Sequence, residues 1–168
     1  MHTRVVKAKR GPEILVRPLQ NGDVGTVSAV FSRLGEESRR TRFLGPKPNL
    51  GEMELRWLAN VGPDHHALVA SVDGDPKPVA IARLVRLGGG SAEIAFEVAD
   101  AYQGRGIGST LAALLVADAR AAGVCEVTAL VRSDNPAAIA LLRRVLGRLE
   151  LRWEGPDMFV RALLPGCA

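Results

Sequence analysis

Apolar positions along this chain recur with two different periods. Val24, Val27, Val30, Phe31 and Leu34 fall three to four residues apart, the spacing of one helical face. Asn21 or Asp23 stands where a cap for that helix belongs. A second short helix is predicted over residues 36–43, broken by Leu44-Gly45-Pro46-Lys47-Pro48. A third covers about 51–60, with Met53, Trp57 and Leu58 as its apolar positions. Ahead of all three, Ile14-Leu15-Val16-Arg17-Pro18 is a short β-type run closed by proline. From residue 66 the pattern becomes strand-like, over 66–72, 79–87 and 93–98. The turns between these runs are Asp73-Gly74-Asp75-Pro76 and Gly88-Gly89-Gly90, so an antiparallel meander is expected.

The period changes again after Val98. Ile107, Leu111, Leu114, Leu115 and Asp118 fall on one face of a long helix, apolar but for the last, and Gly123 ends it. Residues 126–131 form a strand in parallel-crossover position. Ser133-Asp134-Asn135-Pro136 opens a further helix to about residue 146, with proline at an early helical position. Two β-type segments, 149–153 and 158–163, finish the chain. Residues 1–12 read as a tail and 13–168 as one domain, without internal repeat or linker. Mixed strands and helices with one late crossover indicate an α+β or α/β domain.

Composition narrows this little. The 168 residues suit one compact domain, with 47% hydrophobic and 24% charged residues. No run approaches the roughly 20 apolar residues of a membrane span. The basic N-terminus is not followed by an apolar stretch, so no secretory signal is expected and the cytoplasm is the expected location. Cys125 and Cys167 have no zinc or disulfide-framework spacing and are expected as free thiols. His65 and His66 point to opposite faces of a strand with no third ligand in view, so no metal is expected. Trp57 and Trp153 are expected as packing residues. A formal charge of +4 suits a polyanionic partner, either nucleic acid or a cofactor with several phosphates. Aromatic residues are only 4% of the chain, which disfavours a base-stacking surface and hence nucleic acid. The densest basic cluster, Arg4, Lys7, Lys9 and Arg10, lies in the expected tail.

The chemistry concentrates in Gln103-Gly104-Arg105-Gly106-Ile107-Gly108-Ser109, between a strand and the long helix. A helix start leaves backbone N–H groups without partners, and its dipole end is positive. Glycines let that backbone approach a ligand closely, so the segment forms an anion cradle. Arg105 adds a charge, and Ser109 or Thr110 a hydroxyl. A P-loop requires Lys before the Ser/Thr, where Gly108 stands. A dinucleotide fingerprint places its third glycine one residue later and follows the first strand of a βαβ unit. Both are disfavoured.

The remaining pattern, Gln103-x-x-Gly106-x-Gly108, resembles the coenzyme A loop of the GNAT (Gcn5-related N-acetyltransferase) superfamily, and the order of elements agrees over about residues 13–164. Ala92-Glu-Ile-Ala-Phe-Glu-Val-Ala-Asp-Ala-Tyr-Gln-Gly-Arg-Gly-Ile-Gly108 particularly resembles the GNAT domain of bacterial Pat-type protein lysine acetyltransferases. Leu34-Gly-Glu-Glu-Ser-Arg-Arg-Thr-Arg-Phe43 is similar to an N-terminal segment of that branch. Members of the branch usually carry a fused regulatory or synthetase-like domain, which is not expected within these 168 residues. The resemblance implies a mixed central sheet of six to seven strands flanked by about four helices. It also implies acetyl-CoA as cosubstrate, no metal, and an assembly that is often a homodimer.

Acetyl transfer from acetyl-CoA requires removing a proton from an ammonium whose reference pKa is about 10.4, and polarising a thioester carbonyl. The resemblance puts Glu93 forward as general base. Glu97, on the same face of an unbulged strand, is the second candidate. It further implies pantetheine pairing with the backbone of Val98 and Phe96, a splay beside that strand, and Asn135 near the cofactor. Asn135 before Pro136 is equally a helix cap. The usual proton-donating tyrosine is replaced by Leu142, so no general acid is assigned. The acceptor is a protein lysine or a small amine, and a non-catalytic acyl-CoA-binding domain is the third reading.

Overall fold

The change to strand periodicity near residue 65 is where the chain enters the middle of its sheet. The computed structural model describes residues 3–9 and 11–166. Among these, the strands are β1 (Arg4–Lys7), β2 (Glu13–Pro18), β3 (His65–Val72), β4 (Ala80–Gly88), β5 (Ser91–Val98), β6 (Glu126–Arg132), β7 (Glu150–Glu154) and β8 (Asp157–Leu163). The helices are α1 (Val24–Phe31), α2 (Glu36–Arg42), α3 (Glu52–Ala59), α4 (Ile107–Ala121) and α5 (Pro136–Leu146). The strands form one sheet in the order β1-β2-β3-β4-β5-β6-β8-β7. All neighbours are antiparallel except β5 and β6, which the α4 crossover makes parallel.

The sheet buries both faces. Alternate residues of β3 divide between them: Leu68 and Ala70 pack under α4 and α5 with Leu111, Leu115 and Leu142, while Ala67 and Val69 pack under α1 and α3 with Val27, Val30 and Leu58. Asp118, the acid on α4's apolar face, is bonded by Arg4 at 3.4 Å and lies 3.3 Å from His66. α2 differs from its neighbours in burying no residue.

Two expectations are corrected. Residues 4–7, read as part of a tail, pair with residues 13–16 as the edge strand β1. Val5 is 67% exposed, so this strand carries no alternating apolar signal. Arg10, of the same basic cluster, lies outside the described residues. Among the described residues the sheet therefore has eight strands, beside five α-helices. Cys125 is disulfide-bonded, not free; a chain with so few cysteines offers no spacing from which that can be read. Cys167 lies outside the described residues. No helix among the described residues is long and apolar enough to cross a membrane.

Candidate active site

The site begins where two parallel strands part. β5 and β6 pair only through Ser91↔Glu126, Ala92↔Val127 and Glu93↔Thr128. Beyond that point β5 continues alongside β4, and β6 alongside β8. The gap opens into a cleft of about 650 Å³ lined by residues 93–98 on one wall and 129–131 on the other. Ser38 and Thr41 of α2 and Leu141 and Arg144 of α5 also line it, and the glycine loop closes one end.

That loop is built for close approach by backbone. Gly106 caps α4 with φ 78°, a left-handed conformation that strains a side-chain-bearing residue. Gly108 serves packing instead: a Cβ there would lie 3.2 Å from Leu141 and 3.3 Å from Val98. Thr110 N–H donates to Gly106 O at 3.0 Å. The N–H groups of Ile107, Gly108 and Ser109, ahead of it, are the donors that a helix start leaves without an intrahelical acceptor. Gln103 Nε2 donates to Val98 O and Ser38 Oγ, each at 3.0 Å, tying the loop to β5 and α2.

Not every side chain of the loop faces the cleft. The Arg105 guanidinium sits over the Tyr102 ring, 5.2 Å from its centroid. The Ile107 side chain is buried in the core, so only its backbone is available to a ligand. Thr110 Oγ1 donates back to Gly106 O at 2.9 Å. Ser109 Oγ accepts from Arg144 at 3.4 Å. Arg144 was not singled out from the sequence; the Arg143-Arg144 pair on α5 carries no mark of which one reaches the cleft.

Glu93 and Glu97 do share a face of β5, since the β4–β5 register is regular from Ala80 to Arg86. Their surroundings are opposite. Glu97 is buried, 2.9 Å from Arg83 and 3.2 Å from Arg42. Burial works to raise its pKa, but the charges and hydrogen bonds of the two arginines outweigh this and hold it below the ordinary glutamate range. Glu93 is exposed and lines the cleft, and its carboxylate makes no hydrogen bond or close ion pair among the described residues, feeling Arg42 only as a more distant charge.

Asn135 lines the cleft and caps α5, its Oδ1 accepting from Ala138 N–H at 3.1 Å. Phe96 and Val98 lie on the cleft wall, half-buried against the main core. Leu142 is fully buried in that core. Tyr102 donates to Asp75 at 2.7 Å, and Asp75 also accepts from Arg33 at 2.6 Å. His65 bonds Asn60 O at 2.9 Å, on the opposite side of β3 from the His66–Asp118 contact. No group of His, Cys, Asp and Glu among the described residues is arranged to hold a metal. Trp57 and Trp153, expected as packing residues, are 57% and 68% exposed. Helical spacing made Trp57 look internal, but α3 is short and turns that position outward.

The family model of the acetyltransferase (GNAT) family matches residues 33–147. The protein named Acetyltransferase Pat from Mycolicibacterium smegmatis is 35% identical over 158 residues, which are 92% of this chain and 46% of that protein. The chain thus spans less than half the length of this curated relative. The crystal structure of the GNAT domain of S. lividans PAT superposes with a TM-score of 0.87 at 26% identity, covering 96% of this chain and 97% of that one. The structure of yncA from Salmonella typhimurium, solved with its cofactor acetyl-CoA, shares the fold at a TM-score of 0.67 and 20% identity, over 91% of this chain and 95% of that one.

Proposed function

We propose that this chain, which belongs to the acetyltransferase (GNAT) family, transfers an acetyl group from acetyl-CoA to the side-chain amine of a protein lysine, with Glu93 as general base. The observation that carries this reading is the cleft where β5 and β6 part, with a glycine-capped helix start at one end and the exposed Glu93 carboxylate on its wall.

The residues fit the donor. An added Cβ at Gly104 would meet nothing within 4 Å, and the free N–H groups of 107–109 offer donors to a pyrophosphate. Arg144 adds a charge beside Ser109. Val98 and Phe96 stand on the wall of the splay, where their backbone groups can pair with an extended pantetheine. Asn135 completes the far wall. Acetyl-CoA, when bound, supplies the thioester. Glu93 takes the proton that the ammonium must lose before its nitrogen can attack. The N–C bond forms, the C–S bond breaks, and the second proton that the nitrogen gives up passes through water to the departing thiolate, while Glu93 returns the first to solvent. Leu142, buried in the core, offers no acid for that last step. Glu97 is bound to two arginines and holds the wall instead of serving as the base.

The lysine reading draws on the similarity to the Pat protein. Its test is incubation with acetyl-CoA and a cell lysate, followed by mass spectrometry of proteins and metabolites. New acetyl-lysines on proteins are the expected result. Acetylated metabolites alone would favour a small-amine acceptor. Acetyl-CoA binding without any product would leave a non-catalytic binding domain.

A further inference from the structure

A second cleft, of about 380 Å³, lies on the other side of Glu93. Arg42, Glu93, Ile94 and Ala95 line both clefts. An amine must reach the thioester carbon from somewhere other than the space the donor fills, and this cleft meets the donor's at the residue read as the base. We propose that it receives the acceptor, a lysine side chain presented by a polypeptide, with Trp57 and Met53 of α3 holding its aliphatic stem. The inference rests on the acetyl-transfer reading above.

The lining suits an alkylammonium. Phe43, Met53, Trp57, Leu58 and Val85 supply apolar surface for methylenes. The charged groups are already matched, except at the inner end. Arg42 and Arg83 are both engaged by Glu97, and Glu54 accepts from Lys47 and from Gly51 N–H. Glu93 is the carboxylate of the lining that makes no side-chain hydrogen bond or close ion pair among the described residues, and its nearest cation, Arg42, attracts it only at longer range while ion-paired with Glu97, so a cation entering the cleft is drawn to its inner end.

Trp57 is exposed yet held in place. Its ring lies 5.4 Å, centroid to centroid, from that of His65. His65 is anchored by Asn60 O at 2.9 Å and lies 3.5 Å from Arg83 Nη1. Burial and the Arg83 charge lower its pKa, so the prop is a neutral ring at pH 7. Fixing an aromatic wall before binding lowers the ordering cost of the complex.

Exposure decides between a polypeptide and a small amine. Met53 is 84% exposed and Trp57 57%. Their apolar surface extends outside the cleft, where a small amine would leave it in water. Residues flanking a lysine would cover it.

The test is steady-state kinetics with acetyl-CoA and either an end-blocked lysine peptide or a small alkyl diamine. The variants are Trp57→Ala, Trp57→Phe and Met53→Ala, with acetyl-CoA affinity measured by calorimetry as the folding control. Trp57→Ala is expected to raise the peptide KM about tenfold or more, with kcat nearly unchanged and acetyl-CoA affinity intact. Trp57→Phe should restore most of that loss, and Met53→Ala, at a surface position that cannot upset the fold, should raise KM severalfold. Unchanged peptide KM in both alanine variants, with acetyl-CoA bound normally, overturns the acceptor cleft alone. A diamine used as well as the peptide overturns the polypeptide assignment. Failure of the unsubstituted protein to bind acetyl-CoA overturns the transfer reading and this inference together.

Discussion

Arg83 donates a 2.9 Å hydrogen bond to Glu97, and both side chains are only 3% exposed. Arg42 approaches the other Glu97 oxygen at 3.2 Å. A carboxylate shared by two arginines on the wall of a cleft is a support for that wall. Removing one partner of such a group leaves uncompensated buried charge, at about 3–5 kcal/mol. Glu97→Gln is therefore expected to lower stability by about that amount in denaturant unfolding.

The same pair sets an acid limit. The folded-state pKa of Glu97 lies below its ordinary value of 4.5, so the unfolded chain takes up this proton first as pH falls. The stability contributed by Glu97 is fully present above pH 4.5 and is lost as pH drops from there through the folded-state value. Thermal unfolding followed from pH 7 down to 3 should show this decline, and Glu97→Gln should show a shallower one.

Gly11 bears on the coenzyme loop from outside it. A Cβ at Gly11 would lie 2.1 Å from the Arg105 carbonyl oxygen, too close for the loop to stay where it is. Gly11→Ala is expected to shift Arg105 and weaken acetyl-CoA binding by about tenfold, in the range of overpacking costs. Calorimetric titration with acetyl-CoA checks this, and a retained unfolding transition shows that the domain survives.

Gly106→Asp attacks the cradle directly. It puts a side chain on a left-handed residue and a negative charge at the start of α4, where an anion is to bind. Acetyl-CoA binding should fall below detection. Arg144→Ala, which removes one charge near Ser109, should weaken binding less, by about tenfold.

Much of this site could be read in the residues. The meander, the crossover and the glycine-led helix follow from local pattern, because periodicity and turn residues record which face of an element is buried. The shared face of Glu93 and Glu97 follows from strand alternation. Which of them is free does not, because Arg83 and Arg42 come from β4 and α2, and only the folded sheet brings them to Glu97. β1 was hidden for another reason. Its pairing is backbone to backbone at a sheet edge, and Val5 faces solvent, so Arg4–Lys7 bears no mark of a strand. The orientation of Trp57 depended on where a two-turn helix lies against α1, which spacing within the helix cannot give. Gly11 and Arg144 reach the loop through tertiary contacts of the same kind.

The central claim is that Glu93 accepts the proton of the acceptor amine. The most direct test is the turnover of Glu93→Gln against a lysine peptide, measured at neutral pH beside its affinity for acetyl-CoA. Loss of a general base lowers turnover by roughly 10²–10⁴-fold. The expected result is a fall of that size with acetyl-CoA affinity unchanged. Full activity of Glu93→Gln at neutral pH would contradict the assignment.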